Sequence, residues 1–251
     1  MTQLKTEASR GLSGNELKLI AAAAMAVDHI GLLFFPRNLI FRIIGRLAFP
    51  IFAFMIAEGC KYTKNRLKYF LTVFGLGAVC QAVYFITQGS TYMSVLITFS
   101  LSILTIYALQ AFRESLFDPA CGLWKKLLSA AVLAGTVAGV WLLNRVLTID
   151  YGFFGCMLPV LPAAFQQRRG AGEDCLTRLD KPLVHVAMLG LGALLLSLRQ
   201  GGIQIFSLLA LPLLALYSGR RGKGNLKYFF YIFYPAHLVA LEGLRMLLTI
   251  F

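Results

Sequence analysis

Long apolar runs, interrupted by short clusters of lysine and arginine, constrain the fold of this 251-residue chain more than any other feature. Apolar residues make up 58% of the chain. Charged residues make up only 14%, against about 25% in a typical soluble domain. This pattern excludes a soluble globular domain, a disordered chain and a fibrous repeat. It is typical of a membrane protein with many spans and basic cytoplasmic loops.

The apolar runs are about as long as a helical bilayer crossing, which takes roughly 20 residues. We therefore predict an all-α, polytopic integral membrane protein with about nine transmembrane helices in a single domain, residues 1–251. The sixth, seventh and eighth runs are shorter than a full crossing. The predicted spans cover residues 16–35, 39–59, 67–87, 92–112, 124–147, 151–167, 182–198, 203–218 and 227–249.

The distribution of positive charge predicts the orientation. If the N-terminus is cytoplasmic, most of the 24 lysines and arginines fall on the cytoplasmic side, as the positive-inside rule requires. The net charge of +13 therefore reflects membrane topology, and we predict no nucleic-acid partner. The longest polar segment, residues 166–181, predicts a solvated flexible connector.

Ionisable residues inside the spans are the candidate functional residues, because a charge at the bilayer centre costs at least about 2.5–3.5 kcal/mol. Asp28 and His29 are neighbours in the first span and point about 100° apart on a helix. One interpretation pairs Asp28 with an arginine of the second span and leaves His29 to transfer protons in a cavity. The other makes both residues a polar clasp between helices.

The second span carries Arg42 and Arg46 on one helical face. Two arginines so placed can bind a carboxylate or phosphate, although Arg42 can also extend to the outer interface. Gly45 permits close approach of another helix, and Pro50 loosens the backbone in mid-span.

Residues 58–70, at the cytoplasmic end of the second span, combine four cations with polar side chains. This combination predicts an anion site for the phosphates of a cytoplasmic cofactor, unless these cations serve only the positive-inside signal. Glu58 contributes to this site or simply pairs with Lys61. The candidate cofactor-binding residues are Glu58, Lys61, Thr63, Lys64, Asn65, Arg66 and Tyr69.

Two further groups lie at the outer mouth of the sixth span and within the ninth span. Asp150 either binds a cationic amine or sets the charge of a histidine, unless it caps a helix with Tyr151 in the aromatic belt. Tyr234 and His237 share a helical face beside Pro235. His237 is either a site residue or a hydrogen-bonded core histidine. The spacing of the three histidines matches no metal motif, so no metal is predicted.

Four segments resemble the TraX family in order and wording: LKLIAAAAMAVDHIG, RIIGRLAFPIFAFMIAEGCKYTKNRLKYF, DYGFFG and FYPAHL. TraX proteins are similar to membrane acyltransferases, and the type member acetylates the N-terminal amine of pilin from acetyl-CoA. The resemblance implies a multi-pass O- or N-acyltransferase of the bacterial inner membrane, with acetyl-CoA as donor. It does not fix the acceptor.

Our hypothesis assigns the following roles among the positions that match the family. His29 is the general base, and Arg46 orients the donor or stabilises the oxyanion. Asp28 holds Arg42 or Arg46, and Asp150 holds the acceptor. The remaining matching positions are Pro50, Glu58, Thr63, Asn65, Tyr69, Tyr151, Tyr234, Pro235 and His237, of which Tyr151, Tyr234 and His237 are predicted to bind the acceptor substrate. Direct transfer and an acyl-histidine intermediate both stay open.

Two other classes of function fit the same residues. Buried Asp, His and Arg on kinked helices also describe a proton-coupled transporter. A non-catalytic membrane assembly factor is the third class, and it should not depend on His29. The predicted partners are the lipid bilayer, acyl-CoA and an unidentified acceptor. A homo-oligomer stays open, because lipid covers the apolar surface as well as a second copy would.

Overall fold

The computed structural model describes residues 11–169, 172, 174–224 and 226–250, and these residues form helices and connecting loops without a β-strand. The prediction of an all-α fold is confirmed for this part of the chain. The α-helices are α1 (Gly14–Phe34), α2 (Leu39–Gly45), α3 (Ala48–Tyr62), α4 (Arg66–Gln88), α5 (Val95–Phe117), α6 (Leu123–Val146), α7 (Gly152–Met157), α8 (Val160–Ala163), α9 (Pro182–Gln200), α10 (Ala210–Ala215) and α11 (Lys227–Ile250). Two 3₁₀ helices cover Cys175–Leu179 and Gly202–Leu209.

Six helical segments of the described chain are long and apolar enough to cross a membrane. They are Gly14–Phe34, Leu39–Tyr62, Arg66–Ile86, Val95–Phe117, Leu123–Val146 and Pro182–Gln200. The seventh predicted span is therefore of full length, at 19 residues, and the prediction that it is short is wrong. The sixth and eighth runs are short, as predicted, and form the broken apolar segments Gly152–Ala163 and Gly202–Ala215. The ninth run is α11, of 24 residues.

Local chemistry explains where the long helices begin and break. Ser13 and Glu16 form a capping box at the start of α1, which satisfies backbone N–H groups of its first turn. The break between α2 and α3 falls at Arg46 and Leu47. Pro50 has no N–H to donate to the carbonyl four residues earlier, that of Arg46, so the helical ladder is interrupted there.

One end of the bundle is held together by ion pairs between its loops. Lys61 Nζ lies 3.0 Å from Asp180 Oδ1, which joins the end of α3 to the start of α9. Glu114, near the end of α5, lies 3.5 Å from Arg66 and 2.5 Å from Arg168. The loops predicted to be cytoplasmic therefore meet at the same end of the molecule.

Arg113 anchors the segment that follows α8. Its Nε and Nη2 lie 2.5 and 2.6 Å from the two carboxylate oxygens of Asp174. Its Nη2 also donates to Gln167 Oε1, and its Nη1 donates to the carbonyls of Ala164 and Gln166. The pKa of Asp174 lies below its usual value, chiefly because of the hydrogen bonds from Arg113. The prediction of a flexible connector over residues 166–181 is therefore wrong for the described residues of this segment. We call this arrangement the Arg113 clamp.

Candidate active site

A cavity of about 850 Å³ lies among α1, α3, α4, α5 and α11. Helix α1 lines its whole length, with Lys18 at one end and His29 at the other. Eleven helical residues separate these two positions, which at 1.5 Å per residue is about 16 Å. The wall between the ends is mostly apolar and includes Phe52, Met55 and Val73.

Four cations from four different segments surround one end of the cavity, which we call the basic mouth: Lys18, Lys68, Arg169 and Arg221. Glu58, which is only 8% exposed, also lines this end. It accepts hydrogen bonds from Gln166 Nε2 at 2.9 Å and from the Tyr217 hydroxyl at 3.1 Å. Since the Arg113 clamp holds residues 164–167, it also positions Gln166 on Glu58 and places Arg169 near the mouth.

The residues predicted to bind the cofactor divide into two groups. Glu58, Thr63, Asn65 and Tyr69 line the cavity near the basic mouth. The three cations of the prediction are absent from the described cavity lining: Lys61, Lys64 and Arg66. Two of these have other partners, because Lys61 binds Asp180 and Arg66 binds Gln110 and Glu114. Lys64 is exposed.

The opposite end of the cavity contains most of the other predicted site residues, and we call it the histidine end: Asp28, His29, Tyr92, Asp150, Tyr151 and Tyr234. Asp28 Oδ2 accepts a hydrogen bond from Arg42 Nη1 at 2.9 Å, so the expected pair with an arginine of the second span is present. Arg46 Nη2 lies 3.8 Å from Asp28 Oδ1, and its Nη1 donates to Gln204. Neither arginine is among the described residues that line the cavity. Both arginines contact the Asp28 carboxylate, which itself lines the cavity.

Gly45 explains how α1 approaches α2 so closely at this point. A Cβ atom at Gly45 would overlap the side chain of Asp28. The absence of a side chain therefore lets the Asp28 carboxylate lie directly against α2, between the two arginines. This agrees with the close helix approach that the sequence predicts at Gly45.

His29 and His237 are in direct contact across α1 and α11. His237 Nε2 lies 3.3 Å from His29 Nδ1, and the ring centroids are 5.1 Å apart. The two residues bind backbone carbonyls in the same way: His29 Nδ1 is 3.0 Å from Met25 O and His237 Nδ1 is 2.8 Å from Phe233 O. Among the described residues, no group of three or more His, Cys, Asp or Glu side chains could hold a metal ion.

A strained turn presents Asp150 to the cavity. Tyr151 has a φ of 60°, a left-handed conformation that is rare for residues other than glycine and often marks functional sites. Its ring stacks on Phe49 with centroids 3.7 Å apart. The turn is further held by Thr98, whose hydroxyl donates to the Asp150 carbonyl at 2.7 Å. Asp150 Oδ1 accepts a hydrogen bond from the Tyr92 hydroxyl at 2.7 Å.

Burial raises the pKa of the Asp150 carboxyl to about 6, although the Tyr92 hydroxyl and the charge of Arg46 act in the opposite direction. Stability from the neutral carboxyl is therefore complete below about pH 4, its ordinary pKa, and is lost as the pH rises through 6. We expect Asp150→Asn to unfold at a higher temperature than the wild type at pH 8, with no difference at pH 4. Thermal unfolding in detergent at both pH values measures this, and an advantage of the variant that does not grow with pH would contradict it.

Several residues of the cavity were not predicted from the sequence as site residues. Lys18 and Lys68 were visible only as members of cytoplasmic charge clusters, as were Arg169 and Arg221. The unusual position of Lys18, one turn inside an apolar run, was the available signal. Tyr92 gave none, because an isolated tyrosine near a span end is typical of the aromatic belt.

The all-helical fold of the described residues and the membrane-length helices define a membrane protein with many apolar helices and an internal cavity that has polar ends. The model of the family described as "TraX protein" matches residues 13–245, and the chain belongs to this family. The resemblance seen in the sequence is thus confirmed.

Two curated relatives show how far the similarity extends. The chain is 26% identical over 267 aligned residues to a probable fimbrial assembly protein, FimC of serogroup H1, from Dichelobacter nodosus. That alignment covers 94% of this chain and 97% of the relative. An uncharacterized protein of Rickettsia prowazekii (strain Madrid E) is 55% identical over 38 residues, 15% of each chain. No solved structure matches.

Proposed function

We propose that this protein is a membrane-embedded acyltransferase that moves an acetyl group from acetyl-CoA to an amine or hydroxyl acceptor. The observation that carries the proposal is a single cavity that joins a cationic mouth to a histidine end along about 16 Å of helix. An extended pantetheine arm joins the phosphates of coenzyme A to its thioester over a comparable length. Membership of the TraX family supports the same activity.

The orientation follows from the same arrangement. Nine spans with a cytoplasmic N-terminus turn the basic mouth toward the cytoplasm of a bacterial inner membrane, where acetyl-CoA is made. The ion-paired loops at one end of the bundle support this topology, since positive loops stay cytoplasmic.

The proposed donor site combines cations with an apolar wall. Lys18, Lys68, Arg169 and Arg221 bind the phosphates, because charge-assisted hydrogen bonds are the strongest that such a mouth offers. Thr63, Asn65 and Tyr69 contact the nucleotide end. The pantetheine arm lies along the apolar wall and brings the thioester to His29. Lys61 and Arg66 instead hold the surrounding loops, through Asp180 and Gln110.

The transfer step uses His29 as general base. Its Nε2 takes a proton from the acceptor while the acceptor nitrogen or oxygen attacks the thioester carbonyl. The carbon–sulfur bond breaks, and the same proton passes from His29 Nε2 to the thiolate of coenzyme A. Asp150, with Tyr151 and Tyr234, holds the acceptor beside the thioester. Arg42 and Arg46 fix the Asp28 carboxylate next to this centre.

Binding and turnover of the detergent-purified protein test the proposal. Calorimetry measures acetyl-CoA binding, and a thiol reagent measures coenzyme A released in the presence of tetraglycine, glucosamine or ethanolamine. We expect binding and acceptor-dependent release. A folded protein that binds neither acetyl-CoA nor coenzyme A would contradict the donor assignment and favour the proton-coupled transporter, which flux in liposomes would then detect.

Truncating the donor tests the basic mouth separately. We expect the double variant Lys68→Gln, Arg169→Gln to raise the KM for acetyl-CoA about tenfold, which corresponds to about 1.4 kcal/mol of lost phosphate contacts. The KM for acetyl-pantetheine, which lacks the nucleotide, should stay unchanged.

Lys64→Gln is the matched control for this experiment, because Lys64 is a neighbouring exposed cation outside the described cavity lining. It should leave both KM values unchanged. Equal losses with both donors in the double variant would show that the two cations act on the fold and not on the phosphates.

A further inference from the structure

The hydrogen bonds of the two contacting histidines determine their tautomers. A backbone carbonyl only accepts, so the Nδ1 atoms that contact Met25 O and Phe233 O must both carry protons. His237 Nε2 is then unprotonated in the neutral ring, and its lone pair lies 3.3 Å from His29 Nδ1, so the single Nδ1 proton of His29 is shared between His237 Nε2 and the Met25 carbonyl. In this tautomer His29 Nε2 also carries a lone pair, on the ring edge opposite to the one that contacts His237.

This arrangement has the order of a proton relay. A base that takes a proton at one ring nitrogen becomes a better donor at the other, and here the other nitrogen already points at an acceptor. His237, which accepts this hydrogen bond, is 9% exposed and is therefore shielded from bulk water. Its ring stacks on Phe233 with centroids 5.0 Å apart, and Tyr234 contacts it edge-on at 5.7 Å. The Phe233 carbonyl, which accepts from His237 Nδ1 at 2.8 Å, stabilises a protonated ring at this place.

We propose that His237 is the relay partner of His29, an inference that rests on the acyl transfer proposed above. When His29 Nε2 takes the proton of the acceptor, the Nδ1 proton of His29 moves to His237 Nε2. The positive charge then resides on His237, away from the cationic side chains of Arg42 and Arg46. When coenzyme A leaves, the proton returns from His237 Nε2 to His29 Nδ1, and His29 Nε2–H protonates the thiolate. The net transfer is one proton from acceptor to coenzyme A.

The variant His237→Gln separates a relay from a purely structural contact. Its side-chain oxygen can still accept a hydrogen bond from His29 Nδ1, but it cannot take the proton. We expect His237→Gln to lower kcat about tenfold to hundredfold, with the KM for acetyl-CoA within about twofold of wild type. A His237→Gln protein with wild-type kcat, or one in which only KM changes, would overturn the relay.

This test is distinct from that of the proposed function. If the wild type turns over and His237→Gln turns over with the wild-type kcat, the relay alone is wrong. If the folded wild type releases no coenzyme A with any of the three acceptors, the acyl transfer is wrong and the relay falls with it.

The tautomers give a readout independent of turnover. The chain has three histidines, so ¹⁵N spectra of histidine-labelled protein in detergent contain few signals. The variant His185→Gln identifies the signals of the third histidine. We expect both His29 and His237 as Nδ1–H tautomers. An Nε2–H tautomer at His29 would overturn the relay whatever the kinetics.

Discussion

Replacing His29 with glutamine is expected to reduce coenzyme A release by about 10²–10⁴-fold, the usual contribution of a positioned general base. Glutamine can still donate to the Met25 carbonyl and fill the same space between α1 and α11, but it cannot take a proton at neutral pH. Acetyl-CoA binding should persist, because the basic mouth lies about 16 Å away. Thiol release measures kcat, and calorimetry measures binding.

His185→Gln is the matched control for this substitution. His185 is also buried on an apolar helix, at 4% exposure, but it lies beside Asp180 and is not among the described residues that line the cavity. It should turn over at close to the wild-type rate. A His29→Gln protein that remains as active as this control would show that His29 is structural, as a non-catalytic assembly factor requires.

Removing the Arg113 clamp is expected to have the largest effect on stability. In Arg113→Ala the Asp174 carboxylate, whose side chain is 6% exposed, loses both of its guanidinium hydrogen bonds. Losing hydrogen bonds to a charged group costs about 1.5–3 kcal/mol, and Asp174 keeps those from Leu176 N and the Thr177 hydroxyl. We expect the unfolding temperature in detergent to fall by roughly 6–12 °C for about 3 kcal/mol, at 2–4 °C per kcal/mol for a chain of this size.

Two variants separate the clamp from a general effect of charge. Arg113→Lys keeps the charge but loses the planar fork of donors, so it should fall between wild type and alanine. Arg145→Ala removes a cation that lies over the Trp141 ring at the opposite end of the bundle and should leave the unfolding temperature unchanged. The KM for acetyl-CoA should rise in Arg113→Ala alone, because Arg169 depends on this clamp for its position. Equal melting of Arg113→Ala and wild type would contradict the clamp.

The helices could be predicted from the sequence because the bilayer fixes their length and composition. Even the break between α2 and α3 follows from Pro50, because proline has no N–H to donate to the Arg46 carbonyl four residues earlier. The divided form of the eighth run could not be derived, since a run rich in leucine and alanine looks the same whether its helix is continuous or begins as a 3₁₀ helix. The anchored segment after α8 was missed for another reason. Its charges suggested solvation, and the partner that orders them, Arg113, lies more than 50 residues earlier in the chain.

Site residues could be predicted within the apolar spans, because placing a charged side chain in the membrane costs free energy and such residues therefore stand out. Asp28 and Asp150 were found in this way, and the pairing of Asp28 with Arg42 follows from that cost. The same argument fails at the cytoplasmic end, because a lysine or arginine in contact with water has no such free-energy cost. Lys61 and Lys68 look equivalent in the sequence, but Lys61 faces Asp180 and Lys68 lines the cavity. Only the tertiary arrangement distinguishes them.

Helix α1 carries a cation of the mouth and the proposed base on one continuous rod. The distance between Lys18 and His29 is therefore set by the number of helical residues between them, and it does not depend on how other helices are placed. One extra residue in the alanine run 21–24 would turn His29 by about 100° and advance it by about 1.5 Å. In the proposed transfer, this helix fixes how far the thioester reaches from the basic mouth, so a longer acyl chain must find its added length beyond His29, in the end of the cavity that Tyr151 also lines.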